Sequence, residues 1–182
     1  KIGKHELAIS NIVRGAYMIS MTPFWGFSVA ANSMVSNIIG QGKKEEVLGL
    51  VNNIIKLTLF VSIAMIAINL IFPIQILSIF TNDTKLIHDS MACLQIVDIA
   101  LIFFGFAIVS INAVSGTGAT KVALYIEIAA IFIYMLYNYL ATFVFKGSVE
   151  IVWFSEVLYW LFTGVVCYWY IRSGVWKKLK NI

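Results

Sequence analysis

Charged side chains interrupt the apolar stretches of this sequence at very few places, and those places are where its chemistry is sought. Asp98 stands alone in the run from Met91 to Ser115. An ionised group deep in a membrane-crossing helix costs at least roughly 2.5–3.5 kcal/mol on insertion scales, so it needs a partner, water or a task. Counted from Asp89 at the outer end, about nine residues at about 1.5 Å each put Asp98 roughly 13 Å deep. A carboxylate there binds Na⁺ or exchanges a proton, or it forms a structural ion pair with Arg14, which enters the first apolar run from the same side at comparable depth. Both readings stand.

Glu156 shares a helical face with Trp153, Trp160 and Thr163 by i±3 and i±4 spacing. Such a face stacks and neutralises a flat cation. Alternatively, tryptophans mark the membrane interface without binding anything, which suits Trp153 and Trp169 better than Trp160. Glu127 sits about one and a half turns into its run, where it reaches interfacial water or favours the helix N-terminus electrostatically. Asn32, Ser33, Ser36 and Asn37 either line a hydrophilic cavity or hydrogen-bond neighbouring helices. Pro23 with Gly26 bends the first helix.

Other chemistries find no residues. Cys93 and Cys167 lie in apolar runs with no CxxC and no nearby His, and read as packing residues. His5 and His88, at helix ends, are too far apart in sequence to suggest a metal motif. Gly42-Lys43 lacks the spacing of a phosphate-binding loop, and no strand precedes it. An enzyme needs convergent His, Asp or Cys clusters, which the runs lack. The sequence therefore predicts no catalytic residue, no metal site and no cofactor beyond a transported Na⁺ or H⁺.

The elements that position these groups follow from composition. The chain has 182 residues, 60% hydrophobic and 12% charged, with a mean hydropathy of +0.90. Soluble domains carry about 25% charged residues, so this chain lacks the charge to cover a water-facing surface and is expected in lipid. Five apolar runs are read as spans, at about 9–39, 57–80, 91–115, 122–145 and 151–171. They are continuous and twice the length of barrel strands. In lipid every backbone N–H must find a partner within its own segment, which a helix provides. The expected fold is an all-α polytopic bundle. The net charge of +4 is scattered between runs and does not point to nucleic acid. Lys43, Lys44, Lys121, Arg172, Lys177, Lys178 and Lys180 fall on one side, against Lys85, Lys146, Lys1 and Lys4 on the other. The richer side is expected in the cytoplasm, with the C-terminus, where the cluster from Arg172 to Lys180 meets anionic lipid. Without an initiator Met or a signal segment, the sequence is expected to begin inside a longer protein.

Two turns and two helices carry a resemblance. Gly26-Phe27-Ser28-Val29-Ala30-Ala31-Asn32 through Gly40-Gln41-Gly42-Lys43 is similar to a helix and turn of the multidrug and toxic compound extrusion (MATE) family. Asn112 to Lys121 resembles the Gly-rich turn after that family's tenth helix. Ile126-Glu127 with Tyr134, Tyr137 and Tyr139 resembles the eleventh, and Trp153 to Trp160 with Tyr170 to Trp176 the twelfth helix and tail. The resemblance implies helices eight to twelve of a twelve-helix, two-lobe transporter, lacking the seventh helix and the N-terminal lobe. It further implies a Na⁺- or H⁺-coupled antiporter of the bacterial cytoplasmic membrane that exports cationic or amphipathic compounds. In one branch the acidic cation-site residue of this helix lies nearer the Gly-rich turn, where Ile102 to Phe106 are apolar here, so coupling is expected at Asp98 or in the absent lobe. A lipid-linked oligosaccharide flippase of the same superfamily is the alternative, but would show more basic cavity residues than Arg14 and Lys56. A non-transporting membrane scaffold is a third reading.

Overall fold

The computed structural model describes residues 3–145 and 147–178. Lys1, Lys146 and Lys180 of the charge count lie outside them. Among the described residues there is no strand. The chain forms α1 (Lys4–Gly40), α2 (Val47–Ile71), the short α3 (Pro73–Ser78), α4 (Thr84–Gly116), α5 (Thr120–Tyr139) and α6 (Val149–Ser173). A 3₁₀ turn precedes α2, a π-helical turn at Leu140–Val144 extends α5, and a second 3₁₀ turn at Val175–Lys178 follows α6.

Four of these stretches among the described residues are long and apolar enough to cross a membrane: 44–71, 84–116, 120–144 and 149–173. α1 meets the length but not the composition. It carries Arg14, Thr22, Asn32, Ser33, Ser36 and Asn37 and runs through Pro23 without interruption. Val13, Ala16, Phe24, Ala31 and Val35 on one part of its surface are fully buried, so packing against the bundle holds it.

Two boundaries differ from the apolar runs, each for a local reason. The run 57–80 is not one helix: α2 starts at Val47 and stops at Ile71, because Pro73 has no N–H to continue it and instead opens α3. The run 91–115 is the inner part of a longer helix. Asp83 caps α4, its Oδ1 accepting from the backbone N of Lys85 at 2.9 Å and of Leu86 at 3.3 Å.

α4 is the central element and packs against α6, α1 and α2. Of its most apolar stretch 56% is buried, against 17% for α5, whose Phe132, Met135 and Leu136 face outward. α5 thus presents the surface suited to lipid. Small residues let the central helices meet closely, as expected where lipid gives no hydrophobic drive for association. A side chain at Gly116 would stand 2.7 Å from the Asn32 carbonyl oxygen. Two residues on, Gly118 takes φ +84°, a conformation other L-residues rarely adopt, to turn the chain into α5.

One end of the bundle gathers the basic residues. Ser36 Oγ donates to Gly116 O at 3.0 Å, Tyr168 OH donates to Asn52 Oδ1 at 3.0 Å, and Lys44 Nζ donates to Lys177 O at 3.3 Å. Lys177 also pairs with Glu45. Trp176 folds back beneath α6, buried, with Nε1 donating to Ile171 O at 2.9 Å.

Candidate functional site

Two polar clusters meet α1 on different faces. The first centres on Asp98, 4% exposed in the middle of α4. Asn69, in the last turn of α2, donates through Nδ2 to Asp98 Oδ1 at 2.5 Å. The same amide reaches Ser20 Oγ at 3.4 Å, and Ser20 donates to Ala16 O at 3.1 Å within α1. Asp98 Oδ2 is buried without a hydrogen-bond partner. Three helices therefore converge on one carboxylate and leave half of it bare. The break at Pro73 matters here, since it ends α2 beside this carboxylate. The C-terminal end of a helix carries partial negative charge and favours a cation.

The ion pair of Asp98 with Arg14, one of the two readings the sequence leaves open, is not formed. Among the described residues Asp98 has Asn69 as its partner, and Arg14 makes no ion pair or hydrogen bond. The reason is helical phase. At 3.6 residues per turn Ser20 lies about 120° around α1 from Arg14, so Arg14 turns to another flank of α1, where residues of α5 and α6 border a cavity.

On that flank lies the second cluster. A cavity of about 170 Å³ is lined by Arg14 and Tyr17 of α1, Tyr134 of α5, and Trp153, Ser155 and Glu156 of α6. Glu156 Oε2 accepts from Trp160 Nε1 at 3.2 Å, and the same N–H reaches Tyr17 OH at 2.9 Å. Tyr17 meets the Trp153 ring edge-on, with centroids 6.4 Å apart. Trp160 itself is held between Phe104 at 4.7 Å and Tyr159 at 4.6 Å. Its ring is thus a supporting wall that fixes Tyr17 and Glu156, and the aromatic surfaces bordering the cavity are those of Trp153, Tyr17 and Tyr134. Thr163, on the same face of α6, is fully buried with an unpartnered hydroxyl.

The remaining expected residues stand apart. Glu127 is exposed on α5 and makes no ion pair among the described residues. Asn32 is half-buried at the α1–α4 crossing and joins neither cluster. The histidines, distant in sequence, meet at the end opposite the basic residues. His5 Nε2 lies 2.9 Å from Asp89 Oδ2, and His88 Nδ1 lies 3.8 Å from Asp89 Oδ1. They border a cavity of about 630 Å³ together with Glu6 and Glu150. Among the described residues no group of three or more His, Cys, Asp or Glu is arranged to hold a metal ion. Cys93 and Cys167 are free and buried.

Asn69, Ser20, Tyr17 and Tyr134 were not singled out as site residues from the sequence. The signal for Asn69 was present, as a lone amide inside the second apolar run just before Pro73. Ser20 and Tyr17 gave none, because a serine or tyrosine in such a helix commonly bonds its own backbone or packs.

Comparison with known proteins bears on what these clusters belong to. A Thermotoga maritima protein described as "Probable multidrug resistance protein NorM" is 26% identical over 161 residues, covering 88% of this chain and 35% of that protein. An outward-facing multidrug resistance MATE family transporter of the MOP superfamily superposes with a TM-score of 0.85 at 19% identity, covering 97% of this chain and 40% of that one. A MOP superfamily transporter from Pyrococcus furiosus, described as having a binding pocket of reverse polarity, gives 0.86 at 18% identity, with 97% and 40% covered. At those identities the structural likeness shows the fold, that of a multi-pass helical membrane protein. The chain spans 35–40% of the length of these relatives. The MatE family model matches residues 1–140, most of the chain, and the chain belongs to that family.

Proposed function

We propose that this chain supplies helices eight to twelve of a cation-coupled multidrug antiporter, with Asp98 as a cation site. α1 to α6 then form five spans of one lobe, with the seventh helix and the other lobe contributed by the rest of the protein. The cited coverage of about 40% of each solved relative supports this share. We orient the basic end of the bundle to the cytoplasm, which its excess of Lys and Arg supports, with α6 ending there and the bacterial cytoplasmic membrane as the membrane crossed.

The observation that carries the reading is the half-satisfied carboxylate. An ionised Asp98 holds a buried charge that one amide donor does not neutralise, and such a charge is costly until a proton or cation joins it. Oxygen donors for a small hard cation are at hand in Asp98 Oδ2 and Ser20 Oγ. Asn69 suits both states, because its amide offers N–H donors to a carboxylate and, turned over, an oxygen to a cation. A binding site whose ligands come from α1, α2 and α4 couples occupancy to how those helices pack, which is what an alternating-access transporter requires. Among the described residues Arg14 is the one Lys or Arg that borders either cavity, which favours export of cations over the flipping of an anionic lipid-linked sugar.

The test is efflux by the full-length protein in vesicles. A cationic dye should leave against its gradient when an inward Na⁺ or H⁺ gradient is imposed, and stop when the gradient is collapsed. Dye movement indifferent to both gradients would contradict the proposal.

A further inference from the structure

The cavity between α1, α5 and α6 is lined by two opposite charges, Arg14 and Glu156, that form no ion pair. Arg14 presents five N–H donors and makes no ion pair or hydrogen bond among the described residues. Glu156 accepts from Trp160 at 3.2 Å and lies beside Tyr134 of α5 in the same lining. The two residues line the same space from different helices, Arg14 from α1 and Glu156 from α6.

That space has a definite size and wall chemistry. At about 170 Å³ it matches the liquid volume of about six waters, so its occupant is small. Its sides include the rings of Tyr17, Trp153 and Tyr134. Tyr17 is fixed by the Trp160 N–H and by the edge of Trp153, which makes this a preformed slot for a flat ring. A ligand with one charge would leave either Arg14 or Glu156 uncompensated, and stranding a partly buried charge is costly.

We infer that this cavity binds a small aromatic zwitterion, its carboxylate on Arg14 and its protonated amine on Glu156, with the ring between Tyr17, Tyr134 and Trp153. The guanidinium fork takes a carboxylate through two parallel N–H bonds. The ammonium gains from Glu156 and from the aromatic faces around it. This site and Asp98 both meet α1, on different faces of it, so ligand and cation would act on the same helix. The inference rests on the transporter reading for the fate of the ligand, though not for its binding.

Binding to the full-length protein in detergent, followed by quenching of tryptophan fluorescence, tests it with three probes on one frame: 4-(aminomethyl)benzoate, benzylamine and benzoate. The zwitterion should bind roughly tenfold or more tightly than either singly charged probe. Arg14→Gln should bring its affinity down to that of benzylamine, Glu156→Gln to that of benzoate, and Arg14→Lys should keep most of the preference. Equal affinity for the three probes in the wild type, or a preference that survives Arg14→Gln, would overturn the inference. The wild-type comparison decides the matter even if a variant does not fold. A protein that binds the zwitterion selectively yet exports nothing would leave this site standing and remove the transporter reading. One that exports a cationic dye on a gradient yet treats the probes alike would do the reverse.

Discussion

Asn69 donates to one oxygen of Asp98 across 2.5 Å, while the other oxygen of the same carboxylate is buried with no partner. The two residues come from α2 and α4, and Asn69 stands in the last turn before the helix break at Pro73. This one-sided pairing is the feature on which the functional reading depends.

Its energetic consequence is direct. Asn69→Ala leaves both oxygens of a buried carboxylate without a donor, which costs about 1–3 kcal/mol or more. The variant should show a lower unfolding midpoint in detergent, and added Asp98→Asn should recover part of the loss by removing the charge. Equal midpoints for wild type and Asn69→Ala would show that the contact carries no stability.

Tyr17→Phe removes one of the two acceptors that share the Trp160 N–H. Because Glu156 still accepts that N–H, the cost should stay near about 1 kcal/mol. The emission of Trp160 should change, read in a variant with its other tryptophans replaced. An unchanged spectrum would mean that the hydroxyl does not hold the ring.

Gly116→Leu should be far more damaging than a solvent-side change in the same turn. Its Cβ would meet the Asn32 carbonyl oxygen at 2.7 Å, a backbone atom that moves only with α1. Overpacking of this kind costs typically about 1–3 kcal/mol. Gly116→Leu should therefore lower the unfolding midpoint well below that of Thr120→Ala, an exposed position. Similar midpoints would contradict the close α1–α4 crossing.

Trp176→Ala empties a buried site beneath α6 and deletes the Nε1 bond to Ile171 O. Truncation of a buried tryptophan costs about 3–5 kcal/mol. Protease should cut after the basic residues near Lys177 much faster in this variant. Cleavage at the wild-type rate would mean the turn at Val175–Lys178 is not anchored by Trp176.

The membrane-helical character of the chain was legible in the sequence because lipid solvation leaves a long, continuous apolar signature that runs 91–115, 122–145 and 151–171 display. Helix ends were less legible. Asp83 starts α4 through a side-chain cap that an apolar count passes over, and Pro73 stops α2 inside a run whose hydrophobicity does not change. The site was half legible. A lone charge such as Asp98 announces itself by its cost, yet its partner depends on which face of α1 turns towards α4. Arg14 and Ser20 sit only a few residues apart on that helix, and depth alone favoured Arg14. Helical phase turns Ser20 to Asn69, the α2 residue that partners Asp98, and sends Arg14 to the cavity with Glu156.

Gradient-driven dye efflux by full-length protein reconstituted with Asp98→Asn tests the central claim most directly. The variant should assemble with the wild-type elution profile and lose export driven by Na⁺ or H⁺. Export retained at the wild-type rate, with the same dependence on the driving cation, would contradict the assignment of Asp98 as the cation site.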